Sequence, residues 1–365
     1  MTLHIYFAKK FFQSFIIVLS VLLIFLLLID LVEQSRKFRN NDVYFSEIFQ
    51  IILLNLPIQI SEMLPLIIIL ATIALFITLA RSNELVITRS AGRSGLRTLI
   101  APSAVALLIG ILAVSTLNPI VSVTSTYAER LSDLLKTGQT SALSISDTGL
   151  WFRQSGTDGQ TVIYASRYDA NLNTYFGVTF LTYEKEGRPI RRIEAESAKL
   201  IDGGWSLTNT KSWFLQATLN PENTAIESKT RHLPSTLTQE QIRETLGNPR
   251  GISIWNLPRT IQQLSHAGFS TQRHEIWLQS ELSRPLFFLS MVLIASAFTM
   301  RPTRLSGSAK AILLTLLIGF GLYFIRNFAL VLGENAQLPI LLAAWAPSVA
   351  AMLLAIGLLL HTEDG

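Results

Sequence analysis

Residues 81–97 read RSNELVITRSAGRSGLR and separate two long apolar runs. The basic residues of this stretch are Arg81, Arg89, Arg93 and Arg97. Its single acid is Glu84. Because short loops rich in arginine stay on the cytoplasmic side of a membrane, the stretch sets the orientation of the apolar runs on either side.

The same stretch predicts a short amphipathic helix at the cytoplasmic face. Ser82 or Asn83 can cap its start, and Glu84 then lies in the first turn, where an acid favours the helix dipole. Leu85 begins its apolar side, and Gly92 suits the left-handed residue that ends a helix. Two interpretations stay open from the residues alone. The stretch is a solvated connector, or it is a contact for a cytoplasmic motor.

The composition indicates an integral membrane protein. Of the 365 residues, 49% are hydrophobic and 15% are charged, and the mean hydropathy is +0.40. Several apolar runs approach the roughly 20 residues that cross a bilayer. The chain has no cysteine, which excludes disulfides and thiolate metal sites. Basic cytoplasmic loops explain most of the net charge of +5.

Six spans are expected, with both ends of the chain in the cytoplasm. Pro57 and Pro65 interrupt the second apolar run, which predicts an interfacial helix up to about Met63 before the span begins. A second basic loop, with Arg301 and Arg304, is also expected in the cytoplasm. The predicted spans are 11–29, 64–80, 98–117, a helix within 262–300, 311–332 and 339–360.

Residues 120–269 form a polar insertion that predicts an all-β sandwich or roll outside the cytoplasm. Turn signals separate its strand-like runs. These runs are 149–153, 161–164, 175–183, 197–201, 205–208 and 212–215. The expected domains are therefore 1–119 with the cytoplasmic helix 81–97, the β insertion 120–269, and 270–365.

No motif in the chain predicts an enzyme. The stretch Gly307–Lys310 is too short for a nucleotide-binding loop, the five histidines lack ligand spacing, and no GxSxG occurs. ATP-driven work would therefore need a separate subunit, and no catalytic residue, metal site or bound cofactor is expected. The β insertion also lacks the aromatic and basic interleaving that would suggest nucleic acid.

Two sets of cations stand out against the apolar background. Arg36 and Lys37 follow the first span on its far side, against the usual charge bias, so they are either solvated flanks or contacts for an anionic ligand. Arg326 lies well inside the fifth apolar helix. It either extends to the interface or contacts an anionic amphiphile together with Arg36 and Lys37.

The chain resembles the LptF/LptG family of lipopolysaccharide-export permeases over nearly its whole length, and the LptG branch most. Residues 81–87 with Ala91-Gly92 resemble the coupling helix of that family. The LptG likeness comes from Leu31–Gln34 followed by Arg36-Lys37, from 149–153, and from the end of the chain.

This resemblance implies an inner-membrane permease of an ABC transporter, with a periplasmic β-jellyroll domain. The implied partners are a homologous permease LptF, two copies of the ATPase LptB, the single-span LptC, the periplasmic bridge LptA and lipopolysaccharide. ATP would be used by the ATPase. Glu84 would pair with a basic residue of the ATPase, with Arg81, Leu85, Arg89 and Gly92 around it.

Arg36 and Lys37 would meet lipid phosphates by the same resemblance. Asp30 departs from the pattern, since some members carry a lysine there.

The alternative function is a mechanical or sensory membrane protein whose β domain relays force without a lipid path. Tightly packed small residues between helices would favour the relay. Large apolar walls, as the Phe-, Leu- and Ile-rich helices here suggest, favour the lipid path.

Overall fold

The computed structural model describes most of the chain. The described residues are 2–39, 44–90, 95–137, 142–146, 149–156, 159–169, 172–184, 187–201, 203–215, 220–235, 248–266, 270–300 and 308–364. They form two compact units. The membrane unit comprises Met1–Ser132, Arg250–Trp255 and Glu275–Gly365, and the sheet unit comprises Asp133–Pro249 and Asn256–His274.

The helices follow the apolar runs of the sequence but extend beyond them. Among the described residues, six helical segments are long and apolar enough to cross a membrane, which confirms the predicted number. The helices are α1 (Thr2–Lys37), α2 (Phe45–Arg81), α3 (Glu84–Ser90), α4 (Gly95–Leu112), α5 (Asn118–Thr137), α6 (Leu257–His266), α7 (Gln272–Thr299), α8 (Ser308–Glu334) and α9 (Ile340–Asp364). The predicted fourth helix within 262–300 is in fact two, because α6 and α7 are separate.

The membrane unit has a core of large apolar side chains. Helix α1 packs on α2 and α4, and Phe7, Phe11 and Phe15, four residues apart, bury one stripe of it. Helix α7 is the most enclosed span, with Phe287, Phe288, Met291 and Val292 fully buried. Between helices in lipid, these side chains stabilise the unit by close van der Waals packing.

Helix α2 corrects the predicted break at its prolines. It is continuous from Phe45 to Arg81, with Pro57 and Pro65 inside it. A proline lacks the N–H that would bond the carbonyl four residues earlier, so Pro65 leaves the carbonyl of Ser61 without its helical donor. The guanidinium of Arg284 donates to that carbonyl at 3.0 Å, which replaces the missing bond.

Helices α4 and α7 approach closely at a glycine. A Cβ on Gly110 would lie 2.6 Å from the Cα of Pro285, so only glycine fits there. Beyond Gly110 a π-helical segment, Ala113–Leu117, joins α4 to α5. Such π segments are rare and occur often at functional sites.

The sheet unit contains a seven-stranded antiparallel sheet in which each strand pairs with its neighbours in sequence. Its core surrounds Trp205, whose ring centroid lies 5.3 Å from that of Tyr175 and 5.7 Å from that of Phe180. The strands are β1 (Ala142–Ser146), β2 (Gly149–Gly156), β3 (Gly159–Asp169), β4 (Thr174–Tyr183), β5 (Pro189–Ile201), β6 (Gly204–Phe214) and β7 (Ile226–Pro234).

This order confirms a separate antiparallel β region, but the described strands follow a meander, and a jellyroll is not confirmed.

A line of irregularities crosses the sheet at one level. Gly177, Glu196 and Asn209 are each skipped in the pairing of β4, β5 and β6, and Gly177 and Asn209 have positive φ values of 58° and 50°. The Asn209 side chain donates to Glu196 at 2.6 Å. The register of the flanking pairs is unchanged, so these are breaks in the ladder and not one-residue bulges. The predicted strands 205–208 and 212–215 are therefore one strand, β6, with this irregularity between them.

Candidate coupling helix and charged clusters

Glu84 lies at the centre of a network of four side chains, Tyr6, Lys10, Ser82 and Glu84, which we name the Glu84 network. Its Oε1 atom accepts hydrogen bonds from Lys10 Nζ at 2.7 Å and from Ser82 Oγ at 2.9 Å. Its Oε2 atom accepts from Tyr6 Oη at 2.9 Å. The acid of the predicted cytoplasmic helix is thus held by the first turns of α1.

The electrostatics of the network favour a charged carboxylate. Burial by itself would raise the pKa of the Glu84 carboxyl. The hydrogen bonds from Lys10, Ser82 and Tyr6, with the positive charge of Lys10, outweigh burial and lower that pKa below its usual value. Glu84 is therefore ionised at neutral pH and can accept further donors.

The short helix itself forms as the sequence predicts. Helix α3 starts at Glu84, and Leu85 is buried while Arg81 is exposed at the end of α2. Asn83 adopts φ 59° between the two helices. The side chain of Arg89 and all of Gly92 lie outside the described residues, as do Arg301 and Arg304 of the second basic loop.

The far-side cations occupy the last turn of α1. Arg36 and Lys37 are both exposed there. Asp30 points inward, is buried, and accepts a hydrogen bond from Gln34 Nε2 at 3.2 Å. The aspartate at position 30, where some members of the family that the chain resembles carry a lysine, therefore does not change the exposure of Arg36 and Lys37.

Arg326 belongs to a second group, the Arg284 cluster, made of Asn118, Glu281, Arg284 and Arg326. Arg326 is 7% exposed, donates to the carbonyl of Ser280 at 3.1 Å, and lies over the Phe287 ring at 5.3 Å. It is therefore enclosed within this chain. Its Nε atom has no hydrogen-bond partner in the described part of the molecule. Its contact with lipid stays a prediction.

The rest of the cluster is a buried ion pair with one amide. Arg284 Nη1 donates to Glu281 Oε2 at 2.9 Å, and Asn118 Nδ2 donates to the same oxygen at 3.3 Å. Glu281 is 1% exposed and Arg284 is 9% exposed. With Arg326, the cluster holds two cations against one anion, so it carries an excess positive charge in an apolar setting.

A short strap, residues 250–255, docks on the same unit. The amide of Ile254 donates to Asn118 Oδ1 at 2.9 Å, and Trp255 Nε1 donates to the carbonyl of Ser115 at 3.1 Å. Arg250 pairs with Glu62 at 3.2 Å, and its guanidinium lies 5.7 Å from the Trp277 ring centroid. The strap therefore holds α2, the π-helical segment and α7 together.

Sequence reasoning missed the residues that complete both clusters. From the sequence alone, Lys10 indicates only a basic, cytoplasmic start of the chain, and Tyr6 carries no signal of its own. Glu281 and Arg284 are three residues apart at the polar end of an apolar helix, a spacing that puts them on one face. That spacing could have indicated an ion pair, but not its partners on α2 and α5.

Comparison with known proteins supports the identity of the whole chain. The family model for the lipopolysaccharide export system permease LptF/LptG matches residues 5–361. The chain belongs to the LptF/LptG family. No curated protein was found to match it.

The family match covers LptF and LptG together, so the predicted likeness to LptG stays a prediction. As an LptF/LptG family member the chain is a permease subunit, which is not itself an enzyme. Its six apolar helical segments in the described residues agree with a multi-pass membrane protein.

Proposed function

We propose that this chain is an LptG-like permease of an ABC transporter that takes lipopolysaccharide from the bacterial inner membrane. The family match over residues 5–361 carries the proposal. In this assembly an LptF permease completes the membrane pair, an LptB dimer hydrolyses ATP, and LptC and LptA receive the lipid. This chain supplies a path for the lipid and a contact for the motor.

The motor contact is helix α3. It is a short helix between two spans, and its Glu84 carboxylate is ionised at neutral pH. A carboxylate of this kind forms a strong, charge-assisted bond with an arginine or lysine of a partner. Arg81 is exposed beside Glu84. As a charge at the rim of the proposed interface, it affects the rate of association more than the final affinity.

The lipid path is supported by the exposed faces of α1 and α8. Large apolar side chains cover both faces, as a surface for acyl chains requires. They are Ile17, Val21, Ile24, Phe25 and Leu28 on α1, and Leu313, Leu317, Phe320, Phe324 and Phe328 on α8. Arg36 and Lys37 end the face of α1, where they can bind phosphate while the chains lie along the helix.

The sheet unit is proposed to lie in the periplasm and to form a jellyroll-like roll that receives the lipid. The line of irregularities at Gly177, Glu196 and Asn209 supports this, because kinks at one level, such as the one at Gly177, let a sheet curve. A curved meander has a concave apolar face without needing Greek-key crossovers.

A force relay without a lipid path remains the second candidate. Close packing at two glycines favours it: a Cβ on Gly110 would meet Pro285 at 2.6 Å, and a Cβ on Gly333 would meet Ala343 at 2.6 Å. These contacts join α4 to α7 and α8 to α9, and they leave the apolar faces of α1 and α8 exposed. The lipid path therefore accounts for more of the surface.

The test of the motor contact is Glu84→Arg. Reversal of the charge would oppose a basic groove, so the variant is expected to lose co-purification of the ATPase and to fail in export. Glu334→Arg, the same change at an exposed acid at the end of α8, is the control. If the ATPase still co-purifies with Glu84→Arg and cells grow normally, the proposed contact is wrong.

The lipid path is tested by photo-crosslinking. A photoreactive residue at Val32, which is 52% exposed one turn before Arg36, should capture lipopolysaccharide, and ATP should reduce the yield. Ile5, which is 66% exposed on the same helix at its other end, is the matched control. Capture of ordinary phospholipid alone at both positions would favour the relay.

A further inference from the structure

The Glu84 carboxylate is already hydrogen-bonded to side chains of α1, without any motor protein bound. Three donors reach it: Lys10 at 2.7 Å, and Ser82 and Tyr6 at 2.9 Å each. Lys10 and Tyr6 are more than 70 residues away along the chain, so this is a tertiary contact and not a local cap. The Lys10 ammonium also lies 4.9 Å from the Tyr6 ring centroid, which fixes these two donors relative to each other.

Helix α1 is built as a continuous rod between this contact and the far-side cations. It runs unbroken for 36 residues from Thr2 to Lys37 and contains neither glycine nor proline. At 1.5 Å per residue it is about 54 Å long. Lys10 lies near one end, and Arg36 and Lys37 occupy the last turn at the other.

We propose that Tyr6 and Lys10 are positioning residues that fix the coupling helix to α1, so that displacement of α3 by the motor moves the far end of α1. This inference rests on the proposed contact between α3 and the ATPase. Helix α1, which carries the proposed lipid-binding cations, is then the first span to move when the motor displaces α3.

The carboxylate can hold α1 and the motor at the same time. An ionised carboxylate offers about four acceptor positions on its two oxygens. Among the described residues, Oε1 accepts two hydrogen bonds and Oε2 accepts one. A cation of the ATPase can therefore bind at Oε2 without displacing Lys10, and Glu84 becomes a shared ligand between the two.

The contact is better enclosed than an ordinary surface ion pair. The Lys10 and Glu84 side chains are 25% and 27% exposed. Lys9, with the same charge at the adjacent position, is exposed and makes no hydrogen bond to Glu84 in the described part of the molecule. Lys9 therefore provides a matched control for the loss of one positive charge near the coupling helix.

The test measures movement of the far end of α1 in the assembled transporter. Because the chain has no cysteine, Ser35→Cys and Gln337→Cys, both at exposed positions, give two unique spin-label sites in the membrane unit. The labelled permease is assembled with unlabelled ATPase, and double electron–electron resonance compares the nucleotide-free and ATP–vanadate states. We expect ATP–vanadate to populate a second distance. The double variant Tyr6→Phe, Lys10→Met should lower the equilibrium constant for that population about fivefold or more, the lower range of coupling between sites.

The controls separate this inference from the proposed function. Lys9→Met should keep the full response, and Lys10→Arg, which retains the charge, should restore most of it. If the double variant does not accumulate, the single Lys10→Met is read in the same way. The inference is overturned if the ATPase co-purifies with the double variant and the distance change is undiminished. Failure of the ATPase to co-purify with the unmodified chain instead overturns the proposed function.

Discussion

The two charged clusters of the membrane unit differ in how far they are enclosed. The carboxylate of Glu281 is 1% exposed, whereas that of Glu84 is 27% exposed. They belong to different levels of the bundle. Helix α4 begins at Gly95, five residues after the end of α3 in sequence, and Asn118 of the Arg284 cluster lies about 35 Å beyond Gly95 at 1.5 Å per residue. Each carboxylate is nevertheless bonded to a cation and to a neutral donor.

This difference separates a structural contact from an exchangeable one. Desolvated ion pairs are costly to form and more costly to break, so the Arg284 cluster holds α2, α5, α7 and α8 in one arrangement. A partly exposed carboxylate with an acceptor position to spare can gain a further partner while it keeps the partners it has. A motor bound as proposed would therefore act on the Glu84 end, while the Arg284 end stays fixed.

The largest effect is expected from Glu281→Gln. It removes the only carboxylate of the Arg284 cluster and leaves two buried arginines without an anion, which should destabilise the chain by about 3–5 kcal/mol. Thermal unfolding of the detergent-solubilised protein measures the change.

Glu62→Gln is the matched control for this substitution. The Glu62 side chain is 47% exposed in its pair with Arg250, so its loss should cost no more than about 1 kcal/mol. Equal midpoints for the two variants would show that the Arg284 cluster contributes no more than a surface pair.

The second-largest effect is expected where α4 and α7 approach closely beside the Arg284 cluster. Gly110→Ala would place a Cβ 2.6 Å from the Cα of Pro285, and such overpacking should cost about 1–3 kcal/mol and shift α7. Gly321→Ala, in α8 with no atom within 4 Å of the added Cβ, should be neutral or stabilising. A loss of stability in both variants would point to altered contact with lipid as the cause, not to the crossing, because alanine favours a helix more than glycine does.

The sequence predicted the spans and the acid-bearing helix because both depend on local composition. The length of each apolar run and the arginines of 81–97 can be read from a short stretch of sequence. The positions of Tyr6 and Lys10 against Glu84 are not, since they depend on the packing of α1 against α2.

Pro65 illustrates the same limit. It predicted an interruption from local rules, but Arg284, more than 200 residues later, satisfies the carbonyl that the proline leaves open. Gly177 gave a weaker signal inside a predicted strand. A glycine there is compatible with a bulge, but the alignment of three irregularities across the sheet follows only from the register.

The smallest effect is the dependence of the Glu84 network on pH. Because its hydrogen bonds lower the pKa of Glu84 in the folded chain, its contribution is complete above the ordinary pKa of a glutamate, about 4.3, and is lost as the pH falls through the lowered value. The stability difference between the unmodified chain and Glu84→Gln should therefore be constant near neutral pH, at about 1 kcal/mol or less, and should shrink below about pH 4. Thermal midpoints of the two proteins, measured side by side without ATPase, give this difference. A difference that grows as the pH falls would mean that the protonated acid is the form bound by Tyr6 and Lys10, and the charged contact between α1 and α3 would have to be abandoned.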